Sequence, residues 1–158
     1  MTYATLKTLH VLSIIVWIGG MVFAHFFLRP AVARLEPPVR LRLLHDVLGR
    51  FFKAVLVASL LTLASGVWML GRVAKQVVQS GGSFDMPLAW TIMAALGVAM
   101  VAIFMFIRFV LYTRLGQAVA ASEWAAGNAA LAQILSWVSI NLGLGILVLV
   151  VTLMRWTI

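Results

Sequence analysis

Four stretches of this chain are each long and apolar enough to cross a lipid bilayer, and nothing else constrains the fold as strongly. They run over residues 5–28, 47–70, 87–112 and 129–155. Each exceeds the ~20 residues that a hydrocarbon core of ~30 Å requires. Lipid offers no partner to backbone N–H and C=O groups, so an open-ended spanning segment must be helical. The pattern predicts an all-α protein: a transmembrane four-helix bundle forming a single domain over 1–158. Composition agrees. Hydrophobic residues make up 64% of the chain and charged residues 10%, whereas a soluble domain has about 45–50% and about 25%.

The punctuation between the runs sets further expectations. Arg29-Pro30 should end the first helix. Pro30 to Asp46 forms the first connection, and Val39 to Arg50 has amphipathic spacing that suits a segment lying along the membrane surface. Ser80-Gly81-Gly82-Ser83 reads as a flexible tip. Met86-Pro87 suits a helix start, and the Ala-rich stretch Thr113 to Asn128 should continue a helix. An Ala-x-Ala pattern at Ala31, Val32 and Ala33 resembles a cleavage site. The uncharged run before it is about 21 residues, against roughly 7–15 for a signal core, so a retained helix is expected.

The formal charge is +8, from twelve Lys and Arg against four Asp and Glu. These cations flank apolar runs and form no basic–aromatic cluster, so they read as orientation signals, with no nucleic acid partner expected. Arg29, Arg34, Arg40, Arg42, Arg50, Lys53, Arg108 and Arg114 fall on one side. Lys7, Arg72, Lys75 and Arg155 fall on the other. The bias predicts a multi-pass protein of the bacterial inner (plasma) membrane with both termini periplasmic. Trp68, Trp90 and Trp156 then sit at the outer boundary as an aromatic belt.

There is no cysteine, which excludes disulfides, thiolate metal sites, iron–sulfur clusters and cysteine nucleophiles. No paired carboxylates, catalytic triad or phosphate loop emerges, so the chain reads more readily as a non-enzyme. The soft donors are three histidines and eight methionines. On the first helix His10, Trp17, Met21, His25 and Leu28 fall within about 80° of one another. His10 and His25 are about 22 Å apart along the axis. Ionisable side chains within a span usually face the bundle interior. On the third helix Met86, Met93 and Met100 form a heptad stripe, with Met93 level with His10 and Met100 level with Trp17. Each methionine is also a natural gap filler. Trp17-Ile18-Gly19-Gly20 permits close helix approach, and Asn141, Gln133 and Ser136 read as interhelical hydrogen-bonding groups.

Imidazole and thioether together suit a copper ion as Cu(I); His–Met or His–His pairs suit haem b. Three histidines allow one haem, ligated by His10 with Met93 or by His25 with His45, with Arg29 or Arg50 near its carboxylates. A haem-dependent membrane oxidoreductase is the enzyme that would follow. A small accessory subunit without chemistry is the third possibility.

Several segments have a familiar look. Leu6-Lys7-Thr8-Leu9-His10, Val16-Trp17-Ile18-Gly19-Gly20, His25 and Leu28-Arg29-Pro30 resemble the small stand-alone CopD family, the copper-resistance D-like membrane proteins. Leu35-Glu36-Pro37-Pro38 with Arg40, Gly49-Arg50-Phe51-Phe52, Ala64-Ser65-Gly66 and Ile140-Asn141-Leu142-Gly143-Leu144-Gly145 carry the likeness further. The resemblance implies a four-helix membrane protein of copper uptake or tolerance. His10 and Trp17-Gly19-Gly20 are also similar to the haem-linked HemJ-type membrane proteins, but Phe26-Phe27-Leu28-Arg29-Pro30 stands where their Leu-Pro-Arg-Leu-rich continuation would be. The copper reading places metal ligands at His10, His25, Met21, Met93 and Met100. The partners expected are the lipid bilayer, a metal ion or haem, and either a second copy of the chain or a periplasmic metal donor.

Overall fold

The structure is a computed structural model that describes residues 2–154. Arg155 and Trp156, counted above as an orientation signal and a belt residue, lie outside the described residues. Four helices make up the fold: α1 (Tyr3–Ala31), α2 (Pro37–Gln79), α3 (Leu88–Ala120) and α4 (Trp124–Met154). All four are long and apolar enough to cross a membrane. Helix α1 packs along α2 and α3 along α4, and the two pairs meet mainly through α2 against α3 and α4. The start of α1, the last described turn of α4 and the α2–α3 connection share one end of the bundle, here the terminal end. The other two connections share the basic end.

Every helix outruns its predicted span, and α2 most of all. Its 43 residues extend about 64 Å at 1.5 Å per residue. The segment Val39 to Arg50 is therefore not a separate surface helix; it is the first three turns of α2, continuous with the span. The reason is local. Pro37 and Pro38 open the helix at its first turn, where a missing N–H costs nothing, and no breaker follows. The amphipathic stripe then finds protein in place of lipid. Leu41, Leu44 and Leu48 bury against Leu115 of α3 and Leu131 and Ile134 of α4. Arg40 donates to Asn128 Oδ1 at 2.9 Å and the Arg42 guanidinium lies 5.3 Å from the Trp124 ring. A tight three-helix head forms at the basic end.

Pro30 does not terminate α1 either. Its ring should clash with the carbonyl of Phe26 and removes a hydrogen bond. One wide π turn, Ala24–Leu28, absorbs the conflict: Arg29 N–H reaches back five residues to the Ala24 carbonyl. The helix then continues to Ala31. A second π turn, Ile107–Leu111, interrupts α3 without any proline, and Tyr112 N–H bonds to the Ile107 carbonyl. Inserted residues of this kind rotate the faces on either side and recur at functional sites. The tip after α2 is a Schellman stop: Gly82 N–H bonds Val77 O at 3.0 Å, Gly81 N–H bonds Val78 O at 3.1 Å, and Gly81 takes φ +84°. Thr113 to Asn128 is helical except for the turn 121–123. There Ser122 holds the same left-handed position at φ 58° without being glycine.

Burial is uneven along the axis. The continuous core runs from Trp17, Met100 and Leu142 to Leu41 and Leu131 at the basic end. Towards the terminal end, the buried side chains among the described residues dwindle to Leu6, Ser13 and Ser65.

Candidate functional site

The stripe on α1 looks into protein. Trp17 is 4% exposed and Met21 2% exposed, and the two histidines flank them half-buried. The opposite face carries Leu12, Ile15, Val16, Phe23 and Phe27, all exposed, which suits contact with acyl chains.

Each histidine is held by a serine on a neighbouring helix. His10 Nδ1 lies 2.9 Å from Ser65 Oγ on α2. Ser65 Oγ in turn sits 2.5 Å from the Leu61 carbonyl. The hydroxyl is shared with the Thr62 carbonyl at 3.2 Å. With its proton directed at these carbonyls, the serine oxygen accepts from a His10 Nδ1–H, the tautomer that leaves the lone pair on Nε2. The same logic repeats at the other end of the stripe. Ser139 Oγ on α4 donates to Leu135 O at 2.8 Å and stands 3.2 Å from His25 Nδ1. Both imidazoles are thus tied to a serine hydroxyl at Nδ1. This is the arrangement by which second-shell groups orient histidine ligands towards a metal.

Between them lies a plug of rings and thioethers. Trp17 meets Phe104 edge-on at 6.1 Å, Phe104 meets Phe52 at 6.0 Å, and Phe52 meets Tyr112 at 5.5 Å. Met100 is 5% exposed. A side chain at Gly145 would crowd both its methyl and the tip of Ile18, so Met100 lies beside the Trp17–Ile18 level. Met21 follows one turn deeper. Gly20 faces Phe51 so closely that an added Cβ would collide with the ring, whereas a Cβ at Gly19 would meet nothing. Only one of the two glycines therefore serves helix approach.

Other expected ligands find separate partners. Met93 Sδ lies 3.8 Å from Thr152 Oγ1 of α4, while His10 bonds to α2. The His45 ring stacks on Tyr112 at 4.8 Å and 3°. Tyr112 Oη donates to the His45 carbonyl at 2.9 Å, and His45 Nδ1 lies 3.7 Å from the Asp46 carboxylate. His25 and His45 are thus engaged on different helices, and a shared haem would require both to leave those neighbours. Arg29 and Arg50 are exposed. Among the described residues, no three His, Cys, Asp or Glu side chains gather as a metal cage. What the geometry offers is a line of soft, one- or two-donor positions rather than a closed site. Sequence reasoning gave Ser65 no role beyond its place in the family-like Ala64-Ser65-Gly66, and missed Ser139. Nothing in sequence distinguishes them from other serines that bond to their own helix, such as Ser13 and Ser59.

A family model described as copper resistance protein D matches residues 45–155. The chain belongs to the CopD family. No curated protein and no solved structure matches it. Within this CopD chain the matched stretch takes in nearly all of α2 together with α3 and α4. It includes His45, Arg50, Met93 and Met100, whereas His10, Met21, His25 and Arg29 precede it on α1.

Proposed function

We propose that this CopD chain handles Cu(I) as cargo within the membrane, along the stripe His10, Met100, Met21 and His25. The observation that carries the reading is the pair of imidazoles tethered to serines through Nδ1, at either end of a buried thioether segment. Thioether and imidazole are the donors that Cu(I) prefers over harder ions. Successive weak positions let an ion enter and leave, where one tight cage would hold it. The cation excess at the basic end favours a cytoplasmic placement of that end in a bacterial plasma membrane, with the termini periplasmic. In this reading copper reaches His10 from the periplasmic side.

The test is Cu(I) titration of the purified protein in nanodiscs against a chromophoric competitor. Binding should fall at least tenfold in the His10→Ala, His25→Ala double variant and in Met21→Leu, Met100→Leu. Unchanged binding in both, with folding intact, removes the site. A Soret band in protein purified with ample haem would turn the assignment to the porphyrin.

A further inference from the structure

A second site lies apart from this stripe, where α2 and α3 face each other near the basic end. A cavity of about 300 Å³ opens there, lined by Asp46, Gly49, Arg50, Lys53, Arg108 and Tyr112. The four α2 residues follow the spacing i, i+3, i+4, i+7, which is one face of a helix. Arg108 and Tyr112 are one turn apart on α3, with Arg108 inside the π turn Ile107–Leu111.

Three cations and one carboxylate line this space. Among the described residues none of Arg50, Lys53 and Arg108 has a carboxylate within ion-pair distance; Asp46 is instead beside His45. Asp46 points outward, its side chain 77% exposed. Arg108 Nε is buried and lacks a hydrogen-bond partner. Its guanidinium is held over the rings of Tyr112 at 5.2 Å and Phe109 at 5.5 Å, so its orientation is set before any ligand arrives. Gly49 keeps the floor open, because a Cβ there would run into the Tyr112 hydroxyl. Tyr112 already spends its proton on the His45 carbonyl. Arg108 is half-buried while Arg50 and Lys53 are exposed at the mouth, and a guanidinium fork beside an ammonium is the pattern that recognises phosphate.

We propose that this cavity binds a phosphate group, supplied by an anionic phospholipid headgroup or by free phosphate. The site is independent of the copper reading: none of its six residues belongs to the α1 stripe.

The full chain in neutral-lipid nanodiscs would be titrated with phosphatidylglycerol and, separately, with inorganic phosphate. Native mass spectrometry would count retained lipid, and calorimetry would follow the anion. One saturable phosphatidylglycerol per chain is expected, weakened at least tenfold in Arg108→Gln and in Arg50→Gln, Lys53→Gln, and unaltered in Lys75→Gln at the other end. Displacement of that lipid by inorganic phosphate would show that the phosphate itself is read. Saturable phosphate binding without lipid retention would assign free phosphate as the ligand. Absence of saturable binding of either probe to the unaltered protein overturns the proposal without recourse to any variant. So does binding equal to wild type in folded Arg108→Gln.

Discussion

Replacing Ser65 with alanine tests the chemistry of the α1 stripe without touching a proposed ligand. Ser65 Oγ lies 2.9 Å from His10 Nδ1 and against the Leu61 carbonyl, which suits a serine that accepts from an Nδ1–H. Removing the hydroxyl deletes one neutral hydrogen bond, worth about 0.5–1.5 kcal/mol. That bond favours the Nδ1–H tautomer, so its loss should reduce that tautomer's ratio to the alternative by about twofold to tenfold. Cu(I) bound through Nε2 should weaken further, since second-shell losses typically cost about 10–100-fold in affinity. The substitution is small and leaves Gly66, on which the imidazole edge packs, in place. Nitrogen-15 shifts of labelled histidine in the copper-free protein report the tautomer directly, and chelator competition reports the affinity. An unchanged His10 nitrogen spectrum in Ser65→Ala would refute the hydrogen-bond assignment. A changed spectrum with undiminished Cu(I) affinity would refute the role given to Nε2. Ser139→Ala should act on His25 in the same way.

Other outcomes follow from packing and placement. Gly20→Val drives a side chain into the Phe51 ring and should cost about 1–3 kcal/mol, whereas Gly19→Ala, which meets nothing and gains helix propensity, should not lower the thermal midpoint in nanodiscs. Ser122 holds φ 58°, so Ser122→Gly should stabilise the protein by about 1 kcal/mol, read as a raised midpoint in the same scan. The chain has no cysteine, so single cysteines report topology cleanly. Ser80→Cys should react with an impermeant maleimide in intact cells and Ala121→Cys only after permeabilisation; the reverse order would invert the proposed orientation.

The four helices were legible because hydropathy alone sets them: lipid leaves a run of two dozen apolar residues no other regular structure. The buried stripe of α1 was legible too. Its opposite face is mostly apolar, and the histidines, Trp17 and Met21 share one side of the helix. Partners across the bundle were not legible. Met93 shares a heptad stripe with Met100 yet settles against Thr152, because helix pairing decides what a stripe meets. Ser65 and Ser139 look like any serine whose hydroxyl bonds one turn back. Arg108 reads as one more orientation charge until the π turn Ile107–Leu111 sets it into the cavity, and a one-residue widening leaves no mark on hydropathy. The first turns of α2 misled for a related reason. An amphipathic stripe fits a membrane surface and a protein neighbour equally well, and Leu115, Leu131 and Ile134 are too far along the chain to be counted against it.

The gradient of packing has a mechanical consequence. Tight contact in the three-helix head holds the helices together at one extremity, while at the other few side chains are lost to solvent or lipid when they part. Elements with sparse buried contact open most readily. The molecule should therefore flex like tweezers pinched at the handle, spreading its tips around the His10 level while the far end stays shut. Hydrogen exchange that is fast from Val67 to Trp90 and slow from Leu41 to Leu48 would be the signature of that motion.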